Sequence, residues 1–121
     1  MNYDKIVSTV VAAYLEAVVF TDLGPDSDIP SDAEFSPHAI YRAWETCADF
    51  LEQSADLHAK YVSKGLTWDS FGHDIWLTRN GHGAGFWDRG LGELGDKLSD
   101  IAKHLGTADP YAGDDGLVYF S

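Results

Sequence analysis

Gly72-His73-Asp74-Ile75-Trp76-Leu77-Thr78-Arg79-Asn80-Gly81-His82-Gly83-Ala84-Gly85-Phe86-Trp87-Asp88-Arg89-Gly90 is the stretch on which the reading of the fold turns. It crowds two His, two Trp, two Asp, two Arg and five Gly into nineteen positions. Gly permits tight turns and close backbone approach, whereas the other types are costly to bury without partners. His73, Ile75, Leu77 and Arg79 alternate with Asp74, Trp76, Thr78 and Asn80, which is the period of a β-strand. Asn80-Gly81-His82-Gly83 then reads as a hairpin turn and residues 84–87 as the return strand.

On the N-terminal side, Ile6, Val7, Val10, Val11, Tyr14, Leu15, Val18 and Val19 recur at helical spacing, predicting a helix over residues 6–20. Its other face carries Ala12, Ala13 and Ala17 and few charges, so it is expected to be covered on much of its surface, within the domain or by a second copy in a homodimer. Residues 21–35 hold Gly24-Pro25, Ile29-Pro30 and the carboxylates Asp22, Asp26, Asp28, Asp32 and Glu34 with no basic residue, the pattern of a solvated acidic loop. The Asp spacing lacks the central Gly and terminal Glu in register that a calcium loop requires. Ser36-Pro37 is an N-cap followed by Pro at the first helical position. Ile40, Trp44, Cys47, Ala48, Leu51 and Ala55 mark the apolar stripe of a second helix, with Cys47 as a small core residue. Its polar side carries Arg42 among Glu45, Asp49, Glu52 and Asp56. This helix breaks near Ser54 or runs to Tyr61, with Gly65 as a stop, and residues 67–70 can open a further short turn.

On the C-terminal side, Leu91, Leu94, Leu98, Ile101, Ala102 and Leu105 restore helical spacing up to Gly106. Pro110 and Gly113-Asp114-Asp115-Gly116 form loop and turn before a last strand over residues 117–120. The order is helix, helix, hairpin, helix, strand. It predicts one α+β domain over residues 1–121, with a small antiparallel sheet backed by helices.

Charge bounds the function. Twenty acidic residues face eight basic ones, for a net charge of −12. The excess is spread along the chain, at −8 over residues 1–60 and −4 over residues 61–121. Such a chain is repelled by free nucleic acid and by anionic membrane, and is drawn to basic protein surfaces. Cys47 is the single cysteine, so no intrachain disulfide is possible. The opening Met1-Asn2-Tyr3-Asp4-Lys5 lacks the basic start of a signal peptide, and residues 6–20 are too short and too polar to span a bilayer, so a soluble cytoplasmic protein is expected.

Several chemistries compete for the dense segment. His73, Asp74, His82 and Asp88 are acceptable metal ligands, but no metal-binding spacing enforces their convergence, and no metal or cofactor is expected. A His beside Asp74 or Asp88 could serve as an oriented base, with Ser70 or Thr78 as the nearest hydroxyl, but no nucleophile elbow is present. Gly81-His82-Gly83-Ala84-Gly85 lacks the following Lys and helix of a phosphate-binding loop. Without any ligand, Arg79 can pair Asp74 or Asp88, Trp76 and Trp87 can stack on guanidinium or cover the sheet, and Asn80 and Asp88 can cap turn and helix. The same residues, with Arg89, can form a recognition patch, because Trp, Tyr, Arg and His dominate interface energetics. No catalytic residue is assigned, and an enzyme is not the favoured reading.

Residues 72–90, followed by Leu98, Ala102 and Tyr111-Ala112-Gly113-Asp114-Asp115-Gly116-Leu117-Val118-Tyr119, resemble a family of small acidic proteins from phages and mobile elements. Tyr14-Leu15-Glu16-Ala17 is similar to the first helix of that family. The resemblance covers most of residues 6–120, is strongest in the second half, and is weakest at residues 21–35 and 54–71. The family has no assigned activity, so no catalytic role carries over. What the resemblance implies is context, a phage-type accessory product made in the cytoplasm of a bacterial host. Taken with the charge, it leads to the expectation of an inhibitor that binds the basic surface of a host CRISPR effector or restriction nuclease, with Asp114 and Asp115 joining the acidic residues named above. The rival expectation is a small enzyme or ligand-binding protein using the His, Asp and Arg residues of positions 73–89.

Overall fold

The computed structural model describes residues 2–121. The chain runs α1 (Tyr3–Asp22), α2 (Pro37–Gln53), a 3-10 turn (Ala55–Leu57), α3 (His58–Ser63), α4 (Trp68–Arg79), a second 3-10 turn (Phe86–Asp88), α5 (Glu93–His104), β1 (Pro110–Ala112) and β2 (Val118–Phe120). It is α-rich with a two-stranded antiparallel sheet, an α+β arrangement. No helix among the described residues is long and apolar enough to cross a membrane.

The N-terminal elements follow the sequence pattern. Asn2 caps α1 by accepting from Lys5 N at 2.9 Å, and Ser36 caps α2 by accepting from Ala39 N at 2.9 Å. α1 buries Val7, Val10, Val11, Ala13, Tyr14, Ala17 and Val18, so its covering comes from within the chain, chiefly from α4 and α2. α2 ends at Ser54, whose hydroxyl donates to Phe50 O, and the 3-10 turn and α3 carry the chain on to Gly65 at φ +82°. The α2 stripe is rotated from its predicted position. Ala39, Ala43, Cys47, Phe50 and Leu51 face inward, while Ile40 and Trp44 lie exposed toward solvent.

The hairpin expected across residues 73–87 does not form. Residues 68–79 are the helix α4 instead. Thr67 caps its start by accepting from Ser70 N at 3.2 Å, with Asp69 in the first turn, where the helix dipole favours a negative charge. Asn80-Gly81 ends it. His82 N donates to Leu77 O at 3.0 Å and Gly81 N to Thr78 O at 3.3 Å, with Gly81 at φ +66°, a Schellman C-terminus. α4 buries Phe71, Gly72, Asp74, Ile75, Trp76 and Thr78, which covers most of its circumference. A helix enclosed this far shows no polar stripe, so the chance alternation of residues 73–80 mimics a strand. Residues 84–87 are no strand either; they lead into the second 3-10 turn.

Glycines set the closest approaches. A Cβ on Gly72 would sit 2.3 Å from Val10 O and 2.8 Å from Ala13 Cβ, so α4 crosses α1 backbone to backbone at this point. A Cβ on Gly95 would meet Phe86 O at 2.7 Å, which lets α5 close on the second 3-10 turn. Between the helices, Phe50, Tyr61, Phe71 and Phe86 pack with centroids 5.0–6.1 Å apart. Tyr14, Trp76 and Phe120 form a second aromatic group with centroids 5.4–6.5 Å apart. Full burial of each such side chain is worth about 1.5–3 kcal/mol before entropy is counted.

The sheet lies at the C-terminus. β1 and β2 pair antiparallel in the register Pro110↔Phe120, Tyr111↔Tyr119 and Ala112↔Val118, across the Gly113–Gly116 turn. The last strand is therefore where the sequence places it, but its partner is Pro110–Ala112 rather than the dense segment. The other side of β2 holds the end of the acidic loop, where Val118 N donates to Glu34 O at 2.8 Å and Ser36 N to Val118 O at 2.9 Å.

Candidate functional site

The dense segment divides into separate polar assemblies. The first is Asp74 with Arg89. The Asp74 side chain is 1% exposed and accepts two guanidinium bonds, from Nε and, at 3.0 Å, from Nη2 of Arg89. Burial holds the Asp74 carboxyl above its usual range in spite of Arg89, and the bond to Asp74 raises Arg89. Arg79 pairs neither Asp74 nor Asp88, contrary to expectation. It lies at the C-terminal end of α4, where Nε donates to Gly106 O (2.8 Å), Nη2 to Leu105 O (3.1 Å) and Nη1 to Tyr14 Oη (2.9 Å). It therefore satisfies the last carbonyls of α5 and ties them to α1. Tyr14 is 2% exposed, and burial, opposed by Arg79, pushes its hydroxyl up to about 12.

The capping residues are spent on structure. Asn80 is the C-cap of α4 and accepts from Ala108 N at 2.9 Å. Asp88 accepts from Gly85 N at 3.0 Å, which caps the second 3-10 turn and not α5. Thr78 Oγ1 accepts from Phe86 N at 3.2 Å. Trp87 is 52% exposed and covers no sheet. Trp76 is fully buried, and its Nε1 donates to Thr21 Oγ1 at 3.0 Å and Asp22 Oδ1 at 3.3 Å.

The two histidines of the segment lie on α4 and in the loop after it. Both face a groove of about 690 Å³ between α1, α4 and that loop. His73 Nε2 is 3.0 Å from Glu16 Oε1, and His82 Nε2 is 3.0 Å from Asp22 Oδ1. Ala17, Leu77, Ala84 and the 88%-exposed Phe20 supply the apolar lining. Glu16, Phe20 and Thr21 had no sequence signal as site residues, because only the α1–α4 crossing brings them to the histidines. Among the described residues no group of three or more His, Cys, Asp or Glu side chains could hold a metal ion. Two separate imidazole–carboxylate pairs can move protons or bind polar ends of a ligand; among the described residues no hydroxyl or thiol is hydrogen-bonded to either imidazole, and the one hydroxyl on the pairs, that of Thr21, donates to Asp22 Oδ1. Cys47 lies apart in the core, and burial pushes its thiol well up.

The carboxylates singled out by charge lie on other surfaces. Asp26, Asp28, Asp32 and Glu34 are exposed along the loop before α2, and Asp114 and Asp115 on the turn of the C-terminal hairpin. Asp115 accepts from Leu117 N at 2.9 Å and Tyr119 Oη at 2.5 Å, and the Tyr119 bond, with that backbone N–H, holds its carboxyl below the usual range. Glu45, Asp49 and Glu52 are exposed on the outer face of α2, with Asp56 exposed just beyond it. Only four of the 20 acidic residues, Glu16, Asp22, Asp74 and Glu93, have a basic partner within 4.0 Å among the described residues. Asp22 therefore leaves the acidic surface for an internal role. Tyr41 (61% exposed) and Trp44 (38% exposed) share the outer side of α2 with Glu45 and Glu52.

No family model, curated protein or solved structure matches this chain.

Proposed function

We propose that this protein is a small acidic binding protein of the phage accessory type that inhibits a host nucleic-acid-handling defence protein, a CRISPR effector or a restriction nuclease. The contact is the acidic outer face of α2, with the neighbouring acidic loop, docked on a basic channel. The observation that carries the reading is the company the free carboxylates keep. On α2, Glu45, Asp49 and Glu52 have no basic partner within 4.0 Å among the described residues and stand beside exposed Tyr41 and Trp44. Unpaired carboxylates give long-range attraction to a basic surface, and aromatic side chains supply the desolvated anchors that give affinity. The residues of the dense segment support the reading in a different way. Asp74, Arg79, Asn80, Asp88 and Arg89 are engaged in bonds that hold the fold, which leaves the working surface elsewhere.

The test is capture from a host lysate with tagged protein at low and high salt, followed by the nuclease assay of the captured protein. Wild type should recover a nucleic-acid-handling protein at low salt and lose it steeply as salt rises. Tyr41→Ala with Trp44→Ala should weaken binding by about tenfold or more, and His73→Ala should leave it intact. Recovery of no host protein at either salt would sink the reading.

The groove between α1 and α4 favours a second reading, a small enzyme or ligand-binding protein. Its volume of about 690 Å³ suits a small molecule, and the His73–Glu16 and His82–Asp22 pairs offer polar ends. A small molecule retained in native mass spectrometry, and lost on His73→Ala without loss of fold, would establish this reading instead.

A further inference from the structure

Arg42 and Arg79 are two of only eight Lys and Arg residues in the chain, and among the described residues neither has a carboxylate within 4.0 Å. Both line a cleft of about 720 Å³ formed by α2, the start of α1 and the ends of α4 and α5. The same two arginines, with Thr46, also line a much smaller cavity of about 10 Å³, which Tyr14 closes from the core side. The polar side chains around that small cavity are rich in donors. Arg79 spends three of its five N–H groups on Gly106 O, Leu105 O and Tyr14 Oη, leaving two free. Tyr14 Oη accepts from Arg79, which leaves its own O–H to donate. Arg42 and Thr46 add a second guanidinium and a hydroxyl. Convergent donors carrying positive charge suit an anionic oxygen.

The wider cleft restricts which anion can arrive. Its wall carries Glu45, Asp49 and Glu52, so a phosphate chain or any other polyanion meets repulsion before it reaches the arginines. A single carboxylate joined to a cationic group satisfies both regions, with the carboxylate on Arg42 and Arg79 and the cation against the glutamates. We propose that this cleft binds a basic amino acid, free or as the C-terminal residue of a peptide, through its carboxylate and its cationic side chain. The volume lies within the range of small-ligand sites. The site goes beyond the binding of a host protein and is tested on the isolated protein, so its failure leaves that reading standing.

The experiment is calorimetric titration at low ionic strength with four probes: L-arginine, the peptide Gly-Gly-Arg with a free C-terminus, the same peptide as its C-terminal amide, and acetate. L-arginine or the free-acid peptide should bind, and which of them binds more tightly identifies the source as free amino acid or chain terminus. Amidation should weaken the peptide by about tenfold or more, the scale of one lost charge-assisted bond. Arg42→Ala, at an exposed position, should weaken L-arginine to a similar degree, and Glu52→Gln should weaken it less. The proposal is overturned if neither arginine probe binds, if amide and acid bind equally where the peptide is the ligand, if acetate binds as tightly as L-arginine, or if Arg42→Ala changes nothing. The comparison of acid with amide, and of L-arginine with acetate, uses the unaltered protein and so does not depend on the folding of any variant.

Discussion

Replacing Gly72 by Ala would place a methyl carbon 2.3 Å from Val10 O, 2.8 Å from Ala13 Cβ and 3.0 Å from Tyr14 N. The first distance is about 1 Å short of ordinary contact. Two of the three neighbours are backbone atoms of α1 and the third is a Cβ, so no side chain can rotate away and the helix axes must separate. Overpacking of this kind costs about 1–3 kcal/mol, and the absence of a flexible neighbour places it at the upper end. Ala is the better helix former by about 1 kcal/mol, which offsets part of the cost and leaves a net loss of about 2 kcal/mol. For a domain of this size that lowers Tm by roughly 6–8 °C. Urea unfolding followed by Trp fluorescence and far-UV circular dichroism would measure it, with an unchanged m-value showing that the native state stays compact. Gly81→Ala is the comparator. Nothing lies within 4 Å of its added methyl and φ is +66°, so its cost is conformational, about 1 kcal/mol. A Gly72→Ala protein as stable as wild type, or more so, would refute the backbone-to-backbone crossing of α1 and α4.

Arg89→Ala leaves the Asp74 carboxylate buried without its partner and should destabilise the fold by about 2–3 kcal/mol near neutral pH, with Arg89 itself partly exposed. The sign of the pH dependence follows from the raised folded-state pKa of Asp74. The native state holds this proton more tightly than the unfolded chain, so the contribution of Asp74 to stability falls as pH climbs from the ordinary carboxylate range through the raised value. Losing Arg89 raises that pKa further, so the penalty should be smaller in acid urea titrations than at neutral pH; an equal penalty at both would count against it. Trp76→Phe removes the donor to Thr21 and Asp22 while filling most of the space, and thermal melts should register a loss of about 1–3 kcal/mol from the stranded acceptors and the lost volume. Ser99 Oγ is buried with no hydrogen-bond partner, so Ser99→Ala should raise stability by up to about 1 kcal/mol through lost desolvation and better helix propensity. A fall in Tm would show that the hydroxyl has a use.

Local signals were legible wherever one short segment decides its own conformation. Ser36 caps α2 with its own side chain, Pro37 opens that helix, and Gly106 at φ +73° follows the end of α5, whereas the caps Asn2 and Thr67 carried no such reading. The Asn80-Gly81 signal was real but belongs to two structures. A hairpin turn and a Schellman C-terminus both require a positive φ, and the pair of residues does not state which is being built. The α2 stripe was misplaced because Ile40 and Trp44 are as apolar as the inward-facing residues, and only the neighbours of the helix decide which apolar side is covered. Arg89 was recognised as part of the segment, but the partner expected for Asp74 or Asp88 was Arg79, since sequence distance says little about which guanidinium a fold brings to a buried acid. The two histidines were singled out from sequence; Glu16 and Asp22, their partners, lie 57 and 60 residues earlier and meet them only across the α1–α4 crossing.

By itself, then, the sequence determined the charge, the cap of α2, the first helix, the last helix and the final strand, because each depends on composition or on contacts within a few residues. The tertiary structure alone decided that the segment from Gly72 onward continues α4. Enclosure by α1 and the second 3-10 turn supplies partners for Asp74 and Thr78 and room for a glycine crossing, and that packing free energy outweighs an alternating pattern with no sheet to join. The same enclosure turned Asp74 and Thr78 inward as ties, and left Tyr41, Trp44 and the acidic residues of α2 exposed on its outer side.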